Sequence, residues 1–309
     1  MQQILEIIKT FKDEGNVKIE NIFSDDEKVK LKKECLKMLE KKPYAELSDL
    51  PKYDYQYDVP VLQARDRLVL ENIIGISPEV DKIMEKFFSN KIIKELFNDV
   101  IGQGYKLWSC GIRLSLANSK QLGFHNDAVG EMGISILLED QFDSEGVTCL
   151  IPKSHLWPYS SQETKIDTLP IWFFKFLYKP LVGKLGDTFI FFKKTAHGRL
   201  PNNTAKSTLI LLIALYSPGY KFRRFKIGEN IIKKIGPELT RLMSTDNLEK
   251  INSKYENEYL ILKNDNNAVN YVDTLYKNQI GFFSPWRLVK LMGIIIIYLI
   301  KFKKILKFK

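Results

Sequence analysis

Apolar residues recur three and four positions apart in SDDEKVKLKKECLKMLEKK, residues 24–42, a spacing that gathers them on one side of a helix. Ser24 ahead of a run of acidic residues supplies an N-cap, and the closing lysines suit the C-terminal end of the helix dipole. The same periodicity returns in PEVDKIMEKFFSNKIIKELFNDVIG, residues 78–102, and a shorter amphipathic pattern opens the chain in MQQILEIIKTFKDEGN. The intervening KKPYAELSDLPKYDYQYDVP is polar, rich in Tyr and Pro, and reads as loop. From Tyr105 the period changes. YKLWSCGIRLSLAN, GISILLED, GVTCLIP, GDTFIFFK and STLILLIALYS are short β-branched and aromatic runs separated by Gly, Pro, Asn and Asp, the pattern of strands. Several strands without intervening helices predict an antiparallel barrel or double-sheet jelly roll rather than a parallel α/β sheet.

The expected fold class is therefore mainly β with flanking helices (α+β). An aromatic stretch at about 165–184, TLPIWFFKFLYKPLVGK, reads as a loop-helix insert over one end of the barrel, in which Trp172, Phe173 and Phe174 form either a substrate wall or ordinary core packing. Beyond Tyr220 the pattern turns helical and basic, then passes through an asparagine-rich linker to the tail SPWRLVKLMGIIIIYLIKFKKILKFK. The chain divides into residues 1–225, N-terminal helices plus the jelly-roll core, and a helical, basic extension over 226–309.

Composition narrows the partners. The net charge is +10, but seven basic and no acidic residues fall between Trp286 and Lys309, so the body is close to electrically ordinary and nucleic acid is not the expected partner. KFRRFK, residues 221–226, alternates basic and aromatic residues, yet no nucleic-acid motif accompanies it. The apolar run LMGIIIIYLI is well short of the roughly 20 residues that span a bilayer. With Trp286 before it and lysines after it, the stretch 286–309 suits an interfacial helix on an anionic, cytoplasmic membrane surface; the alternative is a helix packed on the body. Three widely spaced cysteines, Cys35, Cys110 and Cys149, write neither a disulfide framework nor a zinc site. A cytoplasmic location fits them.

The three histidines, His125, His155 and His197, all fall in the strand-rich core. His125 and Asp127 stand two apart in GFHNDA, so on an extended segment both side chains leave the same face. A second imidazole from elsewhere would complete a 2-His-1-carboxylate face with open positions for Fe(II) chemistry. His197 is the better candidate, because it follows a strand introduced by a Gly-Asp turn and precedes the loop GRLPNN. His155, in IPKSHLWP, is more easily explained by hydrogen bonding in a turn.

The ordered strings GFHND, GVTCLIPKSH and GDTFIFFKKTAHGRLPNN resemble the phytanoyl-CoA dioxygenase family of 2-oxoglutarate oxygenases, over roughly residues 17–217. The resemblance implies a double-stranded β-helix, the cupin-like jelly roll, in which His125, Asp127 and His197 bind iron(II) and Ser154 and His155 shape the neighbouring turn. It also implies 2-oxoglutarate as co-substrate and hydroxylation as the default outcome, with Asp127 disfavouring halogenation. The substrate expected is a small molecule, or a lipid-linked or glycan-bearing one if the tail docks on membrane. One departure stands out. Family members place an arginine about eleven residues after the distal histidine to pair with the far carboxylate of the co-substrate, and here that residue is Thr208. Lys206 beside Thr208, Arg113 in GIRLSLAN and Arg199 next to the distal histidine are the available replacements. The alternative function is a non-catalytic or 2-oxoglutarate-independent metal- or ligand-binding protein of the same fold.

Overall fold

A computed structural model describes residues 2–46, 60–64, 66–127, 130–156, 175–217, 222–223, 229–243, 248–251 and 259–262. The aromatic stretch containing Trp172, Phe173 and Phe174 and the tail 286–309 lie outside them. Among the described residues no helix is long and apolar enough to cross a membrane.

Helices lead the chain. α1 (Gln2–Glu14) and the short strand β1 (Asn16–Ile19) are followed by α2 (Asp25–Lys41). The start of α2 is fixed as the sequence suggests, by a reciprocal capping box in which the Ser24 hydroxyl accepts the Glu27 N–H at 3.3 Å and the Glu27 carboxylate accepts the Ser24 N–H at 2.8 Å. Three short strands, β2 (Tyr44–Glu46), β3 (Val61–Ala64) and β4 (Arg67–Leu70), come next. The periodic stretch beyond them is two helices, α3 (Pro78–Ser89) and α4 (Lys91–Val100). Asn90 is the divider: its side-chain oxygen accepts the Ile92 and Ile93 N–H groups at 2.9 and 3.4 Å, starting a new helix where the apolar pattern alone runs on.

The core strands are β5 (Lys106–Ser115), β6 (Leu122–His125), β7 (Glu131–Leu137), β8 (Thr148–Leu150), β9 (Lys179–Pro180), β10 (Thr188–Phe192), β11 (His197–Arg199) and β12 (Thr208–Tyr216). Together with β1–β4 they form two facing sheets, an eight-stranded one in the order β1-β10-β7-β12-β5-β4-β3-β2 and a four-stranded one in the order β6-β11-β8-β9. This is the sheet-rich double-layer jelly roll with flanking helices that the strand pattern predicts. The outer face of the large sheet carries the main core: Ile112, Ile134, Ile136, Ile190, Leu209, Leu211 and Ile213 pack against Phe11, Leu31, Phe87, Leu96 and Phe97 of the helices. The inner face is more sparsely apolar, with Leu137, Leu150, Leu181, Phe189 and Phe191 in one cluster against which Ile210 packs. Strand alternation thus assigns one set of side chains to the helices and the other to the space between sheets.

Further along, the helical reading holds only in part. β13 (Phe222–Arg223), α5 (Glu229–Ile232) and α6 (Pro237–Met243) are followed by two strands, β14 (Leu248–Ile251) and β15 (Tyr259–Leu262), where the sequence reads as helix and linker. These strands join β13 in a three-stranded sheet. Helix α6 packs on the body: Leu239, Leu242 and Met243 enter the main core, and the Glu85 carboxylate accepts the Glu238 and Leu239 N–H groups at 2.8 Å each.

Candidate metal centre

His125 ends β6 and His197 begins β11, and the two residues are direct partners in the antiparallel pair. Cross-strand pairing places their rings side by side, with centroids 4.4 Å apart. Asp127 lies two residues past the end of the strand, held by its backbone N–H, which donates to the Lys193 carbonyl at 2.8 Å. One ligand atom from each of His125, Asp127 and His197 lies within 4.8 Å of the others. His155 is not among them.

Both imidazoles are oriented by their own backbone. His125 Nδ1 is 3.0 Å from the Gly123 carbonyl and His197 Nδ1 is 2.8 Å from the Thr195 carbonyl. A carbonyl only accepts, so each Nδ1 carries the proton and each Nε2 is left as a lone-pair donor. Burial pulls the His197 pKa down to about 4, with the adjacent His125 adding to the effect, so the ring is neutral and ligand-ready at physiological pH. For Asp127 burial alone would raise the pKa, but Lys193, with His197 and His125, brings it down to about 2. The Lys193 ammonium bridges Asp127 and Glu131 at 2.8 Å each, and although burial opposes its charge, these two carboxylates hold it protonated. Two imidazoles beside a fixed carboxylate are the donor set for a divalent first-row metal with open coordination positions.

The neighbouring turn supports the site from behind. Ser154 donates its hydroxyl to the Ile151 carbonyl at 2.6 Å and accepts the Ala196 N–H at 2.8 Å, which fixes the residue next to His197. His155 donates Nε2–H to the Lys12 carbonyl at 2.9 Å and lies against the Phe192 ring, fastening α1 to the barrel. Gly15 makes this junction: it has a φ of +76°, and a Cβ there would stand 2.3 Å from His155 Nδ1.

The residues considered for a carboxylate are placed as follows. Thr208 is buried and spends its hydroxyl on the Glu145 carbonyl at 2.9 Å. Lys206 precedes β12 rather than standing on it, is half exposed, and lies 3.6 Å from the Glu145 carboxylate. Arg113 pairs with Glu71 and donates Nη1–H to the Ile112 carbonyl. Arg199 reaches across to the large sheet, with Nη2 donating to Asp66 at 2.6 Å and to the Lys120 carbonyl at 2.8 Å, and Nη1 donating to Ser115 Oγ at 3.1 Å. Arg67, on β4, joins this group and is not singled out by the sequence pattern. Its only signal is a single cation heading the apolar run RLVL.

A jelly roll with a His-Asp-His face at the edge of its smaller sheet is the framework of the mononuclear non-haem iron oxygenase-type proteins. The sequence profile of the phytanoyl-CoA dioxygenase (PhyH) family matches residues 11–208, and the chain belongs to that family. The epimerase SnoN from nogalamycin biosynthesis, solved with Fe3+, alpha ketoglutarate and nogalamycin RO, is 16% identical over 71% of this chain and 86% of its own, at a TM-score of 0.53. The carbocyclase SnoK from the same biosynthesis is 14% identical over 75% and 91%, at a TM-score of 0.53. EctD from S. alaskensis with bound Fe is 16% identical over 68% and 75%, at a TM-score of 0.50. At these identities the likeness establishes the fold. No curated protein matches the sequence.

Proposed function

We propose that this protein is a hydroxylase that uses iron(II) and 2-oxoglutarate, acting on a small-molecule, lipid-linked or glycan-bearing substrate. The observation that carries the proposal is the convergence of His125, Asp127 and His197 within 4.8 Å, with both Nδ1 atoms tied to backbone carbonyls. Those contacts fix tautomer and ring direction, so Nε2 of each histidine and one Asp127 oxygen would hold the metal. Bound there, iron(II) and 2-oxoglutarate would supply the means to activate dioxygen, one oxygen atom going to the substrate C–H bond as hydroxyl and the other to the succinate formed as CO2 leaves the co-substrate.

The chain's own share is positioning and exclusion of water. Lys193 keeps the Asp127 carboxylate ionised and directed. Phe191 lies beside the His197 ring at a centroid distance of 5.4 Å and belongs to the inner apolar cluster. That cluster gives one wall of the centre a dry surface, against which a substrate carbon can rest without competing solvent.

The test is anaerobic addition of Fe(II) and then 2-oxoglutarate to the protein, followed by visible absorption. The wild type should develop the weak charge-transfer band of a metal-chelated 2-oxo acid, requiring both additions, and Asp127→Ala should show none. A wild type that binds no metal would end the enzyme reading. A second reading rests on Thr208 standing where the family has arginine: a metal-binding jelly roll without the co-substrate. It predicts tight metal binding and no band.

A further inference from the structure

Around β4 and β5 the inner face of the large sheet carries cations in place of apolar residues. Leu68 and Leu114 pack into the core beneath the helices. Alternation therefore turns Arg67, Arg113 and Ser115 to the opposite face, toward β11. Ser115 is paired with Arg67 on one side and with Thr208 on the other. Thr208, Ser115 and Arg67 thus form one row across three strands. Arg199 enters this row from the facing sheet by its bond to Ser115 Oγ, two residues beyond the candidate ligand His197 and, by strand alternation, on the same face.

The charges do not close. Arg113 is matched by Glu71 and Arg199 by Asp66, whereas Arg67 has no ion pair among the described residues. The Nε–H groups of both Arg67 and Arg199 are buried and make no hydrogen bond. Orphaned buried Nε–H donors on two neighbouring, half-buried arginines are uncommon, because each such donor forfeits its hydration. Their proximity also disfavours the charge on Arg67: burial and then the Arg199 and Arg113 charges lower its affinity for the proton, against a smaller opposing pull from Asp66 and Glu71. A carboxylate seated against the two guanidinium groups would neutralise the surplus charge, and arginine is the side chain suited to that role.

The position fits the missing β12 arginine. Neighbouring strands stand ~4.8 Å apart, so Arg67 begins roughly 10 Å from Thr208 along the row. A long side chain from either end of the row reaches the same space over Ser115. We propose that Arg67 and Arg199 bind the distal carboxylate of the dicarboxylic 2-oxo acid co-substrate, in place of an arginine on β12. The proposal rests on the oxygenase reading above.

Calorimetric titration of the Fe(II)-loaded protein under argon tests it, using 2-oxoglutarate and 2-oxobutyrate, which lacks the distal carboxylate. Arg67→Met should weaken 2-oxoglutarate binding by about 10- to 100-fold while leaving 2-oxobutyrate and Fe(II) binding unchanged. Arg67→Lys, which keeps the charge and loses the guanidinium donors, should fall between wild type and Arg67→Met. Because Arg67→Met removes a half-buried cation that has no ion pair among the described residues, the ligand-free variant should melt at or above the wild-type temperature, which shows that it folds. Unchanged 2-oxoglutarate affinity in Arg67→Met would overturn the proposal, as would equal weakening of both acids. A wild type that binds Fe(II) but neither acid would instead remove the oxygenase reading on which it stands, and the proposal with it.

Discussion

His155 should make the fold sensitive to mild acid, and its environment sets the size of the effect. The residue is fully buried, at 0% exposure. Burial draws its pKa from 6.5 down to about 4, against the opposing pull of the hydrogen bond to Lys12. The unfolded chain therefore takes up a proton near pH 6.5, while the folded chain resists it until near pH 4. Stability is intact above the unfolded value and declines as the pH falls toward the folded one. The gap of about 2.5 units corresponds to ~3 kcal/mol when fully developed, of which ~2 kcal/mol is lost by pH 5. Set against a typical domain stability of about 5–15 kcal/mol, this is large enough to measure. Urea unfolding of metal-free protein at pH 7.5 and pH 5 is the assay, comparing wild type with His155→Gln. The amide can still donate to the Lys12 carbonyl but does not titrate. His125, His197 and the carboxylates are common to both proteins and cancel in the comparison. The variant should start less stable by about 1 kcal/mol and then lose ~2 kcal/mol less than wild type between the two pH values. Parallel losses in the two proteins would refute the reasoning.

Two further perturbations probe the core and the support of the metal centre. Asp81 is 6% exposed, and burial raises its pKa from 3.8 to about 6 despite the Gly75 N–H that it accepts; its protonated form stabilises the fold, and that contribution is lost as the pH rises through about 6. Asp81→Asn, which keeps the acceptor for Gly75, should raise stability by about 1–3 kcal/mol at pH 8, with the gain shrinking below pH 6, as read by thermal melts across that range. Ser154→Ala leaves the buried Ala196 N–H without its acceptor and should cost about 1–3 kcal/mol. Because that amide fixes the residue preceding His197, Fe(II) affinity should also fall by roughly 10-fold in anaerobic titration; unchanged affinity would confine Ser154 to a purely structural part.

The convergence of His125, Asp127 and His197 was readable because each carries a local signature. His125 and Asp127 announce themselves by a two-residue interval on an extended segment, and His197 by the Gly-Asp turn and buried strand that deliver it. The helices of the first hundred residues were readable for the same reason: capping and 3.6-residue periodicity are local physics. Asn90 shows the limit of periodicity. The apolar pattern runs across it unbroken, and only its side-chain bonds to Ile92 and Ile93 reveal that one helix stops and another starts. β14 and β15 mark the same limit from the other side, since short strands in a polar stretch owe their conformation to their pairing partners rather than to their own propensity.

Arg67 illustrates why the carboxylate site was not legible. Its meaning depends on a row that runs across strands β4, β5 and β12, and positions in such a row are far apart in the chain. Thr208 could be noticed as a missing arginine, but the search for a replacement along the sequence favours near neighbours such as Lys206. The structure gives Lys206 a different partner, Glu145. Side chains that share a pocket in a jelly roll are adjacent across the sheet, where an interval of about 140 residues is no obstacle. A cation can therefore move between strands while its guanidinium stays in nearly the same space, and the charge left unmatched between Arg67 and Arg199 is the trace such a relocation would leave.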